Sequence, residues 1–502
     1  MTSFRRALLP VLAAVVTLSA VLVLPHAASA AVVPDCTTAA PTSGDATFAA
    51  QVNPTLTGKL AGYFTASRAA CVRVIVQTVK SRGLPVRAAT IAITTAIVET
   101  GIQNLNYGDQ DSLGLYQQRP SQGWGTASEI LDPVHSTNSF LSAMLSKYPN
   151  NSWMTADIGV VCQTVQNSAY PTRYGDEAAD GARIAEAAWA GRVVGDFDAD
   201  GSSDLALYRP DPVNGSVWDV RSWTAKADLW NDHRWGGAND IPLTGDFDGD
   251  GTADMALYRR DCTNGSTWWI KSGATGTQIE GGLRWGGCKD IPTTGDVNGD
   301  GYTDLVLYRQ DCTNGSVWNM YNVRAGGTIR TDLRFGGCKD IPTTGDVNGD
   351  GYSDLVLYRQ DCTNGSVWNM YNVRLGGTIR TDLRFGGCND IPTTGDVNGD
   401  GYSDLVLYRQ DCTNGSVWNM YNVRLGGTIR TDLRFGGCND IPTTGDVNGD
   451  GYTDLVLYRQ DCTNGSTWQM YNVRLSGSIV SSYRYGGCHD IPVSNNSVYT
   501  TA

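Results

Sequence analysis

Two groups of residues in this sequence have the types and spacing to do chemistry. The first is an acidic stretch, Gly195-Asp-Phe-Asp-Ala-Asp-Gly-Ser-Ser-Asp-Leu, repeated from Gly245, Gly295, Gly345, Gly395 and Gly445. Counted from the residue after that glycine, oxygen-bearing side chains stand at positions 1, 3, 5 and 9, with glycine at 6. This spacing wraps a chain around a hard cation, with the carbonyl at position 7 as a further ligand, and Ca²⁺ is the cation expected. The candidate ligands are Asp196, Asp198, Asp200 and Asp204 in the first loop and Asp246, Asp248, Asp250 and Asp254 in the second. Next come Asp296, Asn298, Asp300 and Asp304, then Asp346, Asn348, Asp350 and Asp354. The last two loops offer Asp396, Asn398, Asp400 and Asp404, and Asp446, Asn448, Asp450 and Asp454. The second group centres on Glu99, at the end of an apolar helical stretch and ahead of Asp111-Ser-Leu-Gly-Leu-Tyr-Gln-Gln-Arg-Pro120. A carboxylate there is partly desolvated, which raises its pKa and suits it to protonate a glycosidic oxygen as the bond breaks.

An EF-hand would place a bidentate Glu at position 12 between two helices. Here position 12 is Leu207, and Asp204-Leu-Ala-Leu-Tyr-Arg209 alternates with the period of a strand. A calcium loop between strands resembles the FG-GAP or VCBS repeats of integrin-type β-propellers, and the resemblance runs from Val193 to the C-terminus. It implies a propeller and says little about activity, since one fold hosts many functions. Each repeat offers four short strands, in the fourth copy about Ile341–Thr344, Asp354–Arg359, Val367–Asn372 and Thr378–Arg384. Asn364-Gly365 has the composition of a type I′ hairpin turn. Ile491-Pro-Val-Ser494 restarts the first strand, so six blades closed by that terminal strand are expected, with seven as the alternative. The indoles at Trp218, Trp268, Trp318, Trp368, Trp418 and Trp468 share one phase and read as blade packing. Extra indoles at Trp223, Trp230, Trp235, Trp269 and Trp285 single out the first two repeats as the place where a glycan would stack.

Around Glu99, the segments Ser81-Arg-Gly-Leu-Pro85, Asn104-Leu105, Asp111 to Pro120, Asp132-Pro133 and Val165-Gln-Asn-Ser-Ala-Tyr-Pro171 resemble a lysozyme-like domain of secreted actinobacterial proteins, related to the soluble lytic transglycosylases. The resemblance covers about Ala66 to Trp189 and implies that Glu99 is the catalytic acid and base. Gln117 and Tyr170 would line the sugar cleft, and Tyr116 and Trp124 are further substrate-binding candidates. The function expected is that of a secreted peptidoglycan lytic transglycosylase or muramidase-like enzyme, with the propeller binding wall or another polysaccharide. The competing reading is a carbohydrate- or protein-binding adhesin that keeps the shape without turnover. Asp111 is expected to brace its turn, not to act as a second catalytic carboxylate.

These sites need elements to hold them. Helices are expected at about 66–82, 86–102, 135–147, 155–166 and 176–189, the second nearly apolar throughout and therefore buried. The fold class expected is a small all-α domain at 61–190 followed by an all-β propeller at 191–502, joined with almost no linker. Residues 31–60, rich in Ala, Thr and Pro, read as a loose lead-in. Arg5-Arg6, an apolar run and Ala28-Ser29-Ala30 read as a signal peptide at 1–30, although the run is also long enough to span a bilayer. Thirteen cysteines then read as disulfides. Ten lie in the repeats, and the first repeat lacks both members at once, with Pro212 and Ala238 in their places, which favours pairing within repeats. Of Cys36, Cys71 and Cys162, the favoured pair is Cys71–Cys162, with Cys36 competing. A net charge of −13 argues against a nucleic-acid partner. The chain is expected to be an extracellular, wall-associated monomer with no membrane insertion once the signal is cleaved.

Overall fold

The computed structural model describes residues 43–494 together with 36 and 41, apart from 83, 169 and 190–192. The signal segment and the helix-to-propeller junction anticipated from the sequence lie outside the described residues. Among the described residues no helix is long and apolar enough to cross a membrane.

Among the described residues the N-terminal part holds seven α-helices: α1 (Ser43–Val52), α2 (Ala66–Ser81), α3 (Val86–Thr100), α4 (Ala127–Ile130), α5 (Pro133–Lys147), α6 (Ile158–Gln166) and α7 (Arg173–Trp189). α3 is the core helix. Ala88, Ala89, Ile91, Ala92, Ile93, Ala96 and Ile97 are all fully buried, as expected of a helix that is nearly apolar throughout. It stops at Gly101, whose φ of +66° suits glycine, with Gly101 N and Ile102 N bonded to the carbonyls of Ile97 and Ala96. α7 packs closely on α3 because it carries Gly181, where a Cβ would come within 2.0 Å of Thr94 Oγ1.

From Ser43 on, the segment that the sequence suggested was loose forms α1 and a short 3₁₀ turn. α1 is fastened to α2 by an Asp45–Arg73 pair, with Arg73 Nε and Nη2 donating at 3.0 and 2.9 Å, and to the segment before α2 by Phe48 set edge-on to Phe64. This packing also corrects the disulfide. The bond joins Cys36 to Cys71, while Cys162 is a free, buried thiol that donates to the Ile91 carbonyl.

The C-terminal part is a six-bladed β-propeller. Its strands run from β1 (Leu205–Arg209), β2 (Val217–Arg221) and β3 (Asp228–Arg234) through five complete blades to β24 (Ile491–Pro492). A complete blade is β4 (Asp240–Gly245), β5 (Asp254–Arg259), β6 (Thr267–Lys271) and β7 (Gln278–Arg284), hydrogen-bonded in that order. β24 pairs with β1, Tyr208 opposite Ile491, so the chain end completes the first blade and the six-blade expectation holds over seven. Arg209 repeats this closure with side chains: it grips Asp490 as Arg459 grips Asp440 one blade earlier. The five disulfides all lie within repeats, Cys262–Cys288 through Cys462–Cys488. The Trp218-to-Trp468 series is buried against tyrosines such as Tyr308, 4.7 Å from Trp318, and is packing, as its phase indicated. The Asn364-Gly365 turn differs from expectation. Residues 360–366 form a longer loop in which Asp361 Oδ1 accepts from Thr363 N and Asn364 N, and only Gly365 has positive φ, whereas a type I′ turn needs it at both residues.

Candidate functional site

Five of the acidic loops link the inner strand of a blade to the next strand, the first precedes β1, and the side chains are organised by the loop's own backbone. In the second loop Asp246 accepts from Gly249 N at 2.6 Å and Gly251 N at 3.0 Å, Asp248 from Asp250 N at 3.1 Å, and Asp254 from Phe247 N at 2.7 Å. These bonds turn the carboxylates inward. Oxygens of Asp196, Asp198 and Asp204 lie within 4.8 Å of one another, as do those of Asp246, Asp248 and Asp250. Burial first, and the neighbouring carboxylates second, push Asp204 up to about 8 and Asp304 up to about 9, and lift Asp354 well above the usual range. In three loops one oxygen of the ninth residue (Oδ1 of Asp354, Asp404 and Asp454) is buried with no hydrogen-bond partner among the described residues. A crowded set of inward carboxylates with an orphaned buried oxygen fits a hard cation.

The six loops are also joined to one another. The carbonyl of each first Asp accepts from the backbone of the next blade's loop: Ala253 N to Asp196 O at 2.5 Å, and Thr303 N to Asp246 O, Ser353 N to Asp296 O, Ser403 N to Asp346 O and Thr453 N to Asp396 O, each at 2.7 Å. Ser203 N to Asp446 O closes the ring at 2.6 Å. Sequence periodicity alone does not show this.

Glu99 sits in the last turn of α3. The Tyr174 hydroxyl donates to Glu99 Oε1 from a fully buried position on α7. Burial raises the Glu99 pKa, opposed by the Tyr174 bond and by the charges of Lys59 and Arg173. Lys59 Nζ caps the helix end by donating to the Ile97 and Val98 carbonyls at 2.9 and 3.0 Å. Its segment is held by α7, where Asp180 accepts from Gly58 N at 2.7 Å and Glu177 from Lys59 N at 3.0 Å. Thr100 Oγ1 donates to the Leu115 carbonyl at 3.0 Å, tying the Leu113–Gln118 turn to the same helix end. Tyr174, Lys59 and Arg173 were not among the residues singled out from sequence. The available signal was a tyrosine on the buried stripe of α7, since a buried phenol needs a partner.

The other candidates separate. Tyr116 is a correction: it is buried, stacked on Phe140 at 4.9 Å with its hydroxyl 3.1 Å from Thr137 Oγ1, so it packs the core and lines no cleft. Gln117 lies on the turn tied to α3, with φ +48° and Nε2 donating to the Tyr107 carbonyl at 3.3 Å. Tyr170 is exposed, with the Arg173 guanidinium 4.1 Å from its ring centre. Trp124 lines a groove of about 470 Å³ with His135 and Asn138. Asp111 braces its turn: it accepts from Arg119 Nε at 2.6 Å and Ser121 N at 2.7 Å, and these bonds hold its pKa well below the usual carboxylate range.

Residues 291–320 match the family model of the FG-GAP repeat, a span that covers one inner strand, its acidic loop and the next strand. A search of the curated proteins gave no match. Among solved structures the chain is similar to TolB from Acinetobacter baumannii, at 13% identity and TM-score 0.38 over 64% of this chain and 72% of that one. It is also similar to AofleA from Arthrobotrys oligospora, at 12% and 0.37 over 58% and 89%. A rhamnogalacturonan lyase from Bacillus licheniformis follows at 11% and 0.25 over 59% and 70%. The molecule is a six-bladed β-propeller, one segment of which matches the FG-GAP repeat, preceded by a helical region.

Proposed function

We propose that the chain is a secreted cell-wall protein that cleaves peptidoglycan glycan with Glu99, its propeller holding wall or another polysaccharide. The observation that carries this reading is the Glu99 carboxyl at the end of a buried helix, raised in pKa by burial and aimed by Tyr174. A protonated Glu99 donates its proton to the glycosidic oxygen as the C1–O bond breaks. With Asp111 committed to Arg119 and Ser121, the scheme that needs one carboxylate is favoured. The C6 hydroxyl of the muramic acid attacks C1, its proton returns to Glu99, and a 1,6-anhydro ring results. Gln117 and Tyr170 are the proposed sugar contacts. In each propeller loop the side chains at positions 1, 3, 5 and 9 would hold one Ca²⁺, whose charge offsets the carboxylate repulsion and fixes the loop.

The test is release of soluble muropeptides from purified peptidoglycan by the wild type and by Glu99→Gln, with calcium present. Release by the wild type alone supports the reading, and anhydro ends in mass spectrometry support the lyase scheme. No release by the wild type leaves the second reading, a glycan-binding propeller protein without turnover.

A further inference from the structure

Each acidic loop shares one peptide group with its neighbour. Counted from the first Asp of a loop, the carbonyl at position 7 is the expected backbone ligand of a hard cation. The N–H of that same peptide belongs to position 8, and it donates to the position 1 carbonyl of the preceding blade's loop. The donors are Ser203, Ala253, Thr303, Ser353, Ser403 and Thr453, at 2.5–2.7 Å, so every junction of the ring is made, the one from the last blade to the first included. The accepting residue is itself a candidate ligand, and its carboxylate folds its own loop, as Asp446 does by accepting from Gly451 N at 2.8 Å. One peptide plane thus serves two candidate sites: its oxygen belongs to one, and its N–H holds the first ligand residue of the other.

The side chains follow the same line. The glycine before the first Asp packs on the position 8 side chain of the next loop. A Cβ on Gly445 would lie 2.5 Å from Ser203 Oγ, and one on Gly345 would lie 2.9 Å from Ser403 Oγ. Position 4 packs on position 7, where a Cβ on Gly399 would lie 2.4 Å from the ring of Tyr452. A loop therefore cannot change shape without displacing residues on which its neighbour rests. Position 9 follows directly on the shared peptide. Asp354, Asp404 and Asp454 at that position are fully buried, and Oδ1 of each has no hydrogen-bond partner among the described residues, which itself points to a cation.

We infer that the six loops take up Ca²⁺ cooperatively, each filled site raising the affinity of the sites on either side of it around the closed ring. Coordination at the position 7 oxygen polarises that peptide and strengthens the N–H bond it makes across the junction. It also offsets the repulsion among the loop's carboxylates, which works against the shape on which the neighbour packs. A neighbour already held in its binding shape binds more tightly, because less of the affinity is spent on ordering it. The inference rests on the reading of the loops as Ca²⁺ sites and does not depend on Glu99.

The first loop carries its own reporter for the test. Trp223 N donates to Asp204 Oδ1 at 3.1 Å, and the other blades have Gly273, Val323, Val373, Val423 and Val473 in its place. Tb³⁺, a luminescent substitute for Ca²⁺, is titrated into the calcium-free full chain with excitation through tryptophan, and Trp223→Val identifies the signal that belongs to the first loop. One site is then disabled, either next door in the sixth loop (Asp450→Asn with Asp454→Asn) or across the ring in the fourth (Asp350→Asn with Asp354→Asn). These two loops have the same ligand set, so their place in the ring is what differs. The sixth-loop variant should weaken Tb³⁺ binding at the first loop about fivefold, the low end of usual coupling between sites, and the fourth-loop variant should leave it within about twofold. An equal loss in both variants, or no loss in either, would overturn the coupling and leave the loops as cation sites. No sensitised signal, with no heat on titrating Ca²⁺ into the wild type, would remove the cation reading itself and the inference with it. If the variants do not fold, the wild type decides. Filling of the first loop that is steeper than a single-site curve, at constant far-ultraviolet circular dichroism, supports the coupling. A simple hyperbola, or steepness that comes with refolding of the blades, refutes it.

Discussion

The contact between successive acidic loops makes a prediction that can be worked through. Gly349, at the fourth loop position, has φ +74°, and a Cβ there would lie 2.3 Å from Cζ of Tyr402 in the next blade. Gly249, Gly299 and Gly399 face Tyr302, Tyr352 and Tyr452 in the same way. The chain carries its own control: Ala199 occupies the fourth position of the first loop at φ +58°, and the next blade has Thr252 where the four later blades have tyrosine. Gly349→Ala should therefore cost two separable terms. The left-handed conformation costs an alanine about 1–2 kcal/mol. Forcing the Cβ against a ring costs about 1–3 kcal/mol more. In a Tyr402→Thr background only the first term should remain, so the double-mutant cycle should show a coupling of about 1–3 kcal/mol. For a propeller of this size each kcal/mol moves Tm by roughly 2 °C, giving a fall of about 4–10 °C for the single variant. Calcium-saturated thermal and urea unfolding of the four proteins measures it. A Gly349→Ala penalty equal in both backgrounds would refute the inter-loop packing argument.

Other outcomes follow from the same geometry. Chelating calcium should lower the melting temperature of the propeller, and calcium at a hundred times Kd should restore about 2.7 kcal/mol per site; a melting curve unmoved by EDTA would remove calcium from the picture. The Glu99 pKa is raised on folding, so its stability contribution is complete below the ordinary carboxylate value and is lost as pH rises through the raised one. Glu99→Gln should then abolish cleavage yet raise Tm at neutral pH, with no gain near pH 4 in matched melts. Tyr174→Phe removes a bond that favours the ionised carboxylate, so the alkaline limb of the activity profile should move to higher pH while the fold is retained. Replacing Cys36 and Cys71 with serine should cost about 4 kcal/mol in the chain-entropy model for a 35-residue loop, and should expose α1 to protease before the rest of the helical region.

Local pattern carried much of this fold. Strand bounds in the repeats were legible because alternation and the fifty-residue period agree, and the joint loss of two cysteines in the first repeat pointed to the disulfide register. The long helices were legible from their apolar spacing, though α7 was expected to begin at Asp176 and so omitted Tyr174. The lead-in read as loose because α1 has little amphipathic pattern of its own, and it is held by Arg73 and Phe64, residues distant in sequence. Glu99 could be singled out by type and position, but not what surrounds it.

The sequence by itself determined the elements that repeat or are strongly patterned: a ring of four-stranded blades, oxygen-rich turns at fixed positions, and one carboxylate at the end of an apolar helix. These depend on near neighbours, whose spacing is written in the chain. The tertiary structure decided the rest. It brought Tyr174 and Lys59 to Glu99, joined the six loops through backbone bonds, put Tyr116 in the core and paired Cys71 with Cys36. Each of these depends on contacts between residues distant in sequence or lying in different blades, so packing fixes them and no local pattern does.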